Sequence, residues 1–263
     1  MANYKKLFES IEKSLLTEGS KALPIEQIQE RLEIFKHFET REFSDSDYYQ
    51  ILVNVVFYSG FKAATVTSKL ETIHKHLGIF EAVADYEGKD IERILADENM
   101  IRHSGKIKAC IKNAQTFRDL ARKYGSFQNY IEKFNGKESE EGFVQLKEEL
   151  KSRFSWLGKV TVYHFLMDIG FQVLKPDRVI CRIFERLGLI ENRKQINQAI
   201  LQGRKFAQSA NHPIRYIDIV FVAYGQDKSI EFGIKNGICS EINPSCYLCQ
   251  AKNLCNYYST QSV

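Results

Sequence analysis

The chain has 263 residues, 44% of them hydrophobic, and a formal net charge of +4. That length can bury a sizeable core in one large domain or two small lobes, and no run of about 18 uncharged apolar residues is present to suggest a membrane span. The charge is unevenly split: residues 1–100 carry 12 Lys/Arg against 18 Asp/Glu, whereas residues 101–263 carry 25 against 15. A second half of +10 suits a polyanionic partner, although from charge alone solvated helix faces are the simpler account.

The N-terminal stretch MANYKKLFESIEKSLL is amphipathic and charge-studded, without a signal-peptide core or small-residue cleavage site, which points to an intracellular protein. Apolar residues recur at three- and four-residue intervals in nearly every segment and only four prolines interrupt them, so an all-α fold is expected. Ser44, with Asp47 three residues on, forms a capping-box signature ahead of DYYQILVNVVFYSG, and Gly60 is placed to end that helix. Further helices are predicted over 62–76 (stopped by Gly78), 89–97, 104–124 (capped by Ser104, stopped by Gly125), 126–134, 139–153, 159–169, 176–187 and 192–209. Gly158 lies in a very short connection between two of these helices, and Gly170 ends the second. No internal repeat or low-complexity linker interrupts the chain.

Near the C-terminal end, CSEINPSCYLCQAKNLC places Cys239, Cys246, Cys249 and Cys255 in one short stretch. In a reducing compartment such a cluster is better explained by metal ligation than by disulfides. Zinc sites usually pair two short knuckles, and here only Cys246 and Cys249 form one. Four thiolates in a single loop suit a cubane cluster, yet the spacing alone leaves iron-sulfur and zinc both open. Cys110 and Cys181, each inside a helical pattern, are expected to be buried apolar fillers.

The C-x6-C-x2-C-x5-C pattern resembles the [4Fe-4S] loop of the endonuclease III and adenine glycosylase branch of the helix-hairpin-helix DNA glycosylase superfamily. The resemblance implies an all-α two-lobe fold: a six-helix lobe over 44–169 that includes the hairpin, and a second helical lobe from 1–43 and 170–263. It also implies a [4Fe-4S] cluster on Cys239, Cys246, Cys249 and Cys255, serving as a brace and DNA-facing element. Lys252 in that loop would face a phosphate, or is a solvated surface lysine.

Upstream, FSWLGKVT (154–161) resembles the family hairpin, in which Gly158, Lys159, Val160 and Thr161 would grip the DNA backbone at a helix N-terminus. By itself Gly158 reads as a turn residue. Trp156, the only tryptophan, stands where the family commonly has a first glycine, and would either pack under the hairpin or stack near the lesion. The segment LKPDRVICRIFERLGL (174–189) resembles the one that carries the catalytic aspartate, here Asp177. Without the resemblance Asp177 reads as an N-cap after Pro176. With it, an ionised carboxylate would stabilise the oxocarbenium-like transition state and orient or deprotonate the attacking water at a flipped-out nucleotide. Val160 occupies the position of the lysine used by strand-cleaving members, and Lys159 would point about 100° away around the helix, so no lyase activity is expected.

IRHSGKIKACIKNA (101–114) resembles a segment of 3-methyladenine DNA glycosylase I, and the likeness extends more weakly back through DYYQILVNVVFYSGF. It implies an alkylated purine such as 3-methyladenine as the excised base. Arg102 and Lys106 belong to a basic stretch that would touch DNA or simply form a solvated face. Phe57, Tyr58 and Phe61, with Trp156, lie where the family places pocket or wedge residues, or they belong to a core stripe. His103 and His164 are polar pocket candidates or structural histidines. That enzyme's pocket glutamate falls here on an apolar residue near Val55, its terminal zinc ligands have no match, and it lacks the aspartate and iron-sulfur loop. The expectation is a monomeric, monofunctional DNA glycosylase of base excision repair acting on double-stranded DNA with a damaged base. A mismatch, uracil or oxidised-base glycosylase on the same scaffold, a non-catalytic DNA-damage binder and a zinc-braced helical interaction protein are the alternatives.

Overall fold

The computed structural model describes residues 3–37 and 41–261. Among these every regular element is helical, apart from one antiparallel bridge between Ser229 and Ile234. The chain forms two compact units, Met1–Arg41 with Gln172–Val263, and Glu42–Phe171.

The first unit opens with α1 (Tyr4–Gly19) and α2 (Ile25–Glu33). Asn3 starts α1 by accepting a hydrogen bond from the Lys6 N–H at 3.0 Å. Leu7, Phe8, Ile11 and Leu15 then recur on one face at helical spacing and are buried.

In the second unit, α3 (Asp45–Tyr58) begins with the expected capping box: the Asp47 N–H donates to Ser44 Oγ and the Ser44 N–H to Asp47 Oδ2. The single helix expected over 62–76 is two, α4 (Ala63–Thr67) and α5 (Leu70–Leu77). The run Thr65-Val66-Thr67-Ser68 is rich in poor helix formers, and the Ser68 hydroxyl turns back to the Thr65 carbonyl at 3.1 Å, so the chain breaks there. After α6 (Phe80–Val83) and α7 (Gly88–Ala96) comes α8 (Ser104–Tyr124), closed by left-handed Gly125. The cap of α8 is His103 rather than Ser104: its Nδ1 accepts from the Lys106 N–H at 3.2 Å. Cys110, Ala114 and Phe117 of α8 are buried, and Phe117 stacks on Phe127 of α9 (Phe127–Glu132) with centroids 4.3 Å apart. The unit closes with α10 (Glu140–Arg153) and α11 (Thr161–Asp168).

The chain then returns to the first unit through α12 (Arg178–Arg186), α13 (Ile196–Ala210), α14 (Ile214–Gly225) and α15 (Asn256–Gln261). No helix is predicted from the sequence beyond 209, so α14 and α15 are corrections; α14 is the larger. Nine of its twelve residues are buried, so it is apolar around most of its circumference and lacks the two-faced contrast that marks a surface helix. Phe184, Phe206 and Phe221 meet at its centre with centroids 4.9–5.5 Å apart. Each such ring stabilises the unit by roughly 1.5–3 kcal/mol through burial. No described helix is long and apolar enough to cross a membrane.

Candidate functional site

Two groups of residues carry candidate chemistry, one in each unit. In the second unit the connection from α10 to α11 is a tight turn held by one hydroxyl. Thr161 Oγ1 accepts from the Gly158 N–H at 2.7 Å and donates to the Trp156 carbonyl at 2.6 Å. Ser155 is fixed as well: its N–H donates to Asn113 Oδ1 at 2.7 Å, and Asn113 Nδ2 donates back to its carbonyl at 3.0 Å. The Thr161 hydroxyl is therefore committed to the turn. The Thr161 backbone opens α11, where the Val162 N–H already donates to the Gly158 carbonyl at 3.2 Å and the Tyr163 N–H to that of Val160 at 3.1 Å. Gly158 and Lys159 are exposed and Val160 is half-buried. Helix α11 begins at Thr161, with Val160 as its N-cap, so the argument that Lys159 points away from Val160 around a helix fails: both precede the first helical residue.

Next to this turn, Trp156 adopts a left-handed backbone with φ of +71°. Its ring lies over the ammonium of Lys106, with Nζ 4.0 Å from the centroid; Phe61 approaches the same ammonium at 5.2 Å. His103 meets both rings edge-on, at 5.8 and 6.0 Å. Lys106 corrects the expectation of a DNA contact. It is 1% exposed and its Nζ donates to the Val56 and Ser59 carbonyls, so it closes the C-terminal end of α3. Burial lowers its pKa to about 8. Arg102, two residues before the start of α8, remains exposed.

Of the three aromatics expected to form a pocket or wedge near 57–61, Phe57 is 0% exposed and fills the core, so it has no face to offer a base. Tyr58 is half-buried, with its hydroxyl 2.9 Å from Thr67 Oγ1 and its ring 6.2 Å from His164. Phe61 is 36% exposed. Val55 is buried in the core.

In the first unit, Asp177 is the N-cap of α12. Its Oδ1 accepts from the Val179 and Ile180 N–H groups at 2.9 and 3.1 Å. Oδ2 takes no part in the cap and lies 3.5 Å from Lys175 Nζ, on a side chain that is 22% exposed. The carboxylate is thus fixed in direction by two backbone donors and the helix dipole, with one oxygen turned away from them.

Further along the same unit, Cys239, Cys246, Cys249 and Cys255 line one cavity together with Arg186, Tyr224, Lys252, Tyr257 and Tyr258. Arg186 Nη1 donates to Cys239 Sγ at 3.2 Å, and the Tyr224 hydroxyl to Cys249 Sγ at 2.9 Å. Arg182 and Arg186, one turn apart on α12 and both buried, also donate to the Cys239 carbonyl, and Arg186 to those of Ser240 and Glu241. Among the described residues, no three of His, Cys, Asp or Glu are set close enough to share a single ion. Four sulfurs line one space, with a guanidinium and a hydroxyl donating to two of them, a donor set whose chemistry suits a thiolate-ligated group. Cys110 and Cys181 are buried elsewhere.

Arg182, Arg186, Tyr224 and Lys175 have no counterpart in the sequence analysis. The two arginines had a signal, since they stand four residues apart within the apolar run of ICRIFER, where a guanidinium must find acceptors.

A methyladenine glycosylase family model matches residues 36–175. Among solved structures, a variant of 3-methyladenine DNA glycosylase I in complex with 3-methyladenine is 27% identical, over 51% of this chain and 82% of its own, with a TM-score of 0.45. The Methanocaldococcus jannaschii 8-oxoguanine glycosylase/lyase in complex with DNA containing 8-oxoguanine is 20% identical over 83% of this chain and 96% of its own, with a TM-score of 0.54. The 8-oxoguanine DNA glycosylase of Thermotoga maritima is 17% identical over 84% and 96%, with a TM-score of 0.53. The last two share the helical fold.

Proposed function

We propose that this chain, which belongs to the methyladenine glycosylase family, is a DNA N-glycosylase of base excision repair that hydrolyses the glycosidic bond of a flipped, damaged base. The observation that carries the reading is Asp177: a carboxylate held by two backbone N–H groups at the start of α12, with Oδ2 directed away from them. As the base departs, positive charge develops on the deoxyribose. A fixed anion stabilises that charge without reorganising, and the same oxygen orients or deprotonates the attacking water. The exposed turn, with Lys159 and the chain entering α11 beside Gly158, would hold the phosphate backbone of the duplex.

The excised base is an alkylated purine such as 3-methyladenine. A cationic alkylated base already has a weakened glycosidic bond, which suits a site with one carboxylate and little acid assistance. No amine stands at position 160, where the strand-cleaving relatives carry their nucleophile, so the product is an intact abasic strand. Cys239, Cys246, Cys249 and Cys255 would hold a [4Fe-4S] cluster, which braces the loop and presents it to DNA; no step of the hydrolysis runs through it.

The test is base release from duplexes carrying methylated, deaminated, mismatched and oxidised bases, with the product strand examined with and without alkali. Wild-type protein is expected to release the methylated purine and to nick only after alkali. Asp177→Asn should lose about 10²–10³-fold in rate while still binding lesion DNA. Unchanged release in that variant would remove Asp177 as the catalyst, and scission without alkali would refute the monofunctional assignment.

A further inference from the structure

Trp156 combines features that a purely structural tryptophan does not need together. Its left-handed backbone is one that glycine occupies freely and L side chains rarely adopt. Such outliers persist only where the surroundings hold them, and here they do: Asn113 clamps Ser155 before it, and the Thr161 hydroxyl ties its own carbonyl and the Gly158 N–H. The ring is not spent on the core. One side rests on the buried ammonium of Lys106 and the edge of His103, while 39% of the residue stays exposed, beside the exposed turn at Gly158 and Lys159. The result is a large aromatic face, pinned from behind and open in front, at the tip of the hairpin.

We propose that Trp156 is a base-stacking residue of the hairpin, which takes an unstacked base of the damaged duplex on its open face while the adjacent turn holds the phosphate. A rigid aromatic plane suits any nucleobase, because every base has a π-face, and pre-positioning removes the cost of ordering the ring on binding. The helix gains nothing from stacking in an intact duplex, where bases are already paired with neighbours. The platform therefore favours duplexes interrupted by an abasic or unpaired site. This inference rests on the glycosylase reading of the hairpin.

Because the chain has one tryptophan, its fluorescence reports this residue alone. The full chain is titrated with an intact duplex and with one carrying a stable abasic analogue, and affinities are read from anisotropy of labelled DNA. Saturating abasic duplex should quench Trp156 more than intact duplex does. Trp156→Gly places the residue natural to that backbone but uncovers Lys106, so its melting is measured alongside. It should lose about tenfold in affinity for the abasic duplex, with intact-duplex affinity nearly unchanged. Trp156→Phe should keep most of the preference, and Trp156→Leu, which covers Lys106 without an aromatic face, should lose it even if the glycine variant does not fold. Fluorescence unchanged at saturation, or a preference retained in Trp156→Leu, overturns the stacking role while leaving base release intact. A wild-type chain that binds neither duplex overturns the hairpin reading and this inference with it.

Discussion

Replacing Gly158 with alanine separates what the hairpin turn needs for folding from what it needs for DNA. Its backbone lies outside the left-handed region, and a methyl group built on it would meet nothing nearer than Thr161 Oγ1 at 3.8 Å. Alanine therefore fits without strain. By restricting the unfolded chain it should leave stability unchanged or raise it by about 0.4–1 kcal/mol. The consequence for a bound phosphate is opposite in sign, since a methyl on the open side of the turn obstructs an anion approaching the backbone donors. Losing one charged hydrogen bond costs roughly 1.5–3 kcal/mol, or about 10–100-fold in Kd. Thermal melting with DNA anisotropy over a salt series measures both. The slope of log Kd against log salt should stay at the wild-type value, because counterion release comes from Lys and Arg contacts and none is removed. A variant that binds as tightly as wild type would refute the phosphate role, and one that melts several degrees lower would show that the glycine serves the turn itself.

At Asp177, asparagine keeps the cap and should melt close to wild type, whereas alanine should cost about 1 kcal/mol; denaturation of both variants distinguishes cap from catalyst. Burial holds the Lys106 ammonium at about 8, while an unfolded lysine titrates near 10.4. Between those values the unfolded chain binds more protons, so stability should rise with pH across that window by on the order of 3 kcal/mol. The rise should flatten in Lys106→Met when urea denaturation is compared at pH 8 and 10. Purified protein should contain iron and sulfide at about four each per chain. Cys246→Ser or chelation should strip the iron and lower the melting of the first unit, and zinc in place of iron would refute the cluster.

Much of the fold was legible because its signals are local. The Ser44/Asp47 box and the Gly125 stop each act within one turn of chain, and both stand where the sequence puts them. What escaped was set by tertiary burial. Helix α14 is covered on most sides, so its pattern has no polar face to give a period. Lys106 was counted with the basic residues around it, yet it lies in register with Cys110, Asn113 and Phe117, all buried on the same stripe of α8. Periodicity thus contained the warning that this lysine points inward, and residue type alone concealed it. Phe57 failed in the converse way, because an aromatic in an expected pocket stretch says nothing about which side of the helix it occupies until its neighbours Val53 and Val56 are seen to be buried with it.

The departures from the family pattern are more informative than the matches. A tryptophan in place of a glycine would by itself argue against a functional hairpin, since it adds a side chain at a position with positive φ. In this chain the penalty is met by three fixed elements: a lysine sealed from solvent, an asparagine bridging two backbone atoms, and a threonine hydroxyl bonded on both sides. Each of these polar groups is satisfied inside the unit and so is unavailable to DNA, as is the Gly158 N–H that donates to Thr161, which leaves exposed Lys159 and the outer face of Trp156 as the parts of the hairpin that can meet a ligand. The same division holds at Asp177, where the cap consumes one oxygen and the other, 3.5 Å from Lys175 Nζ, lies outside it. In both units the groups that fix the geometry are distinct from those that would act, and the proposed activity requires that distinction.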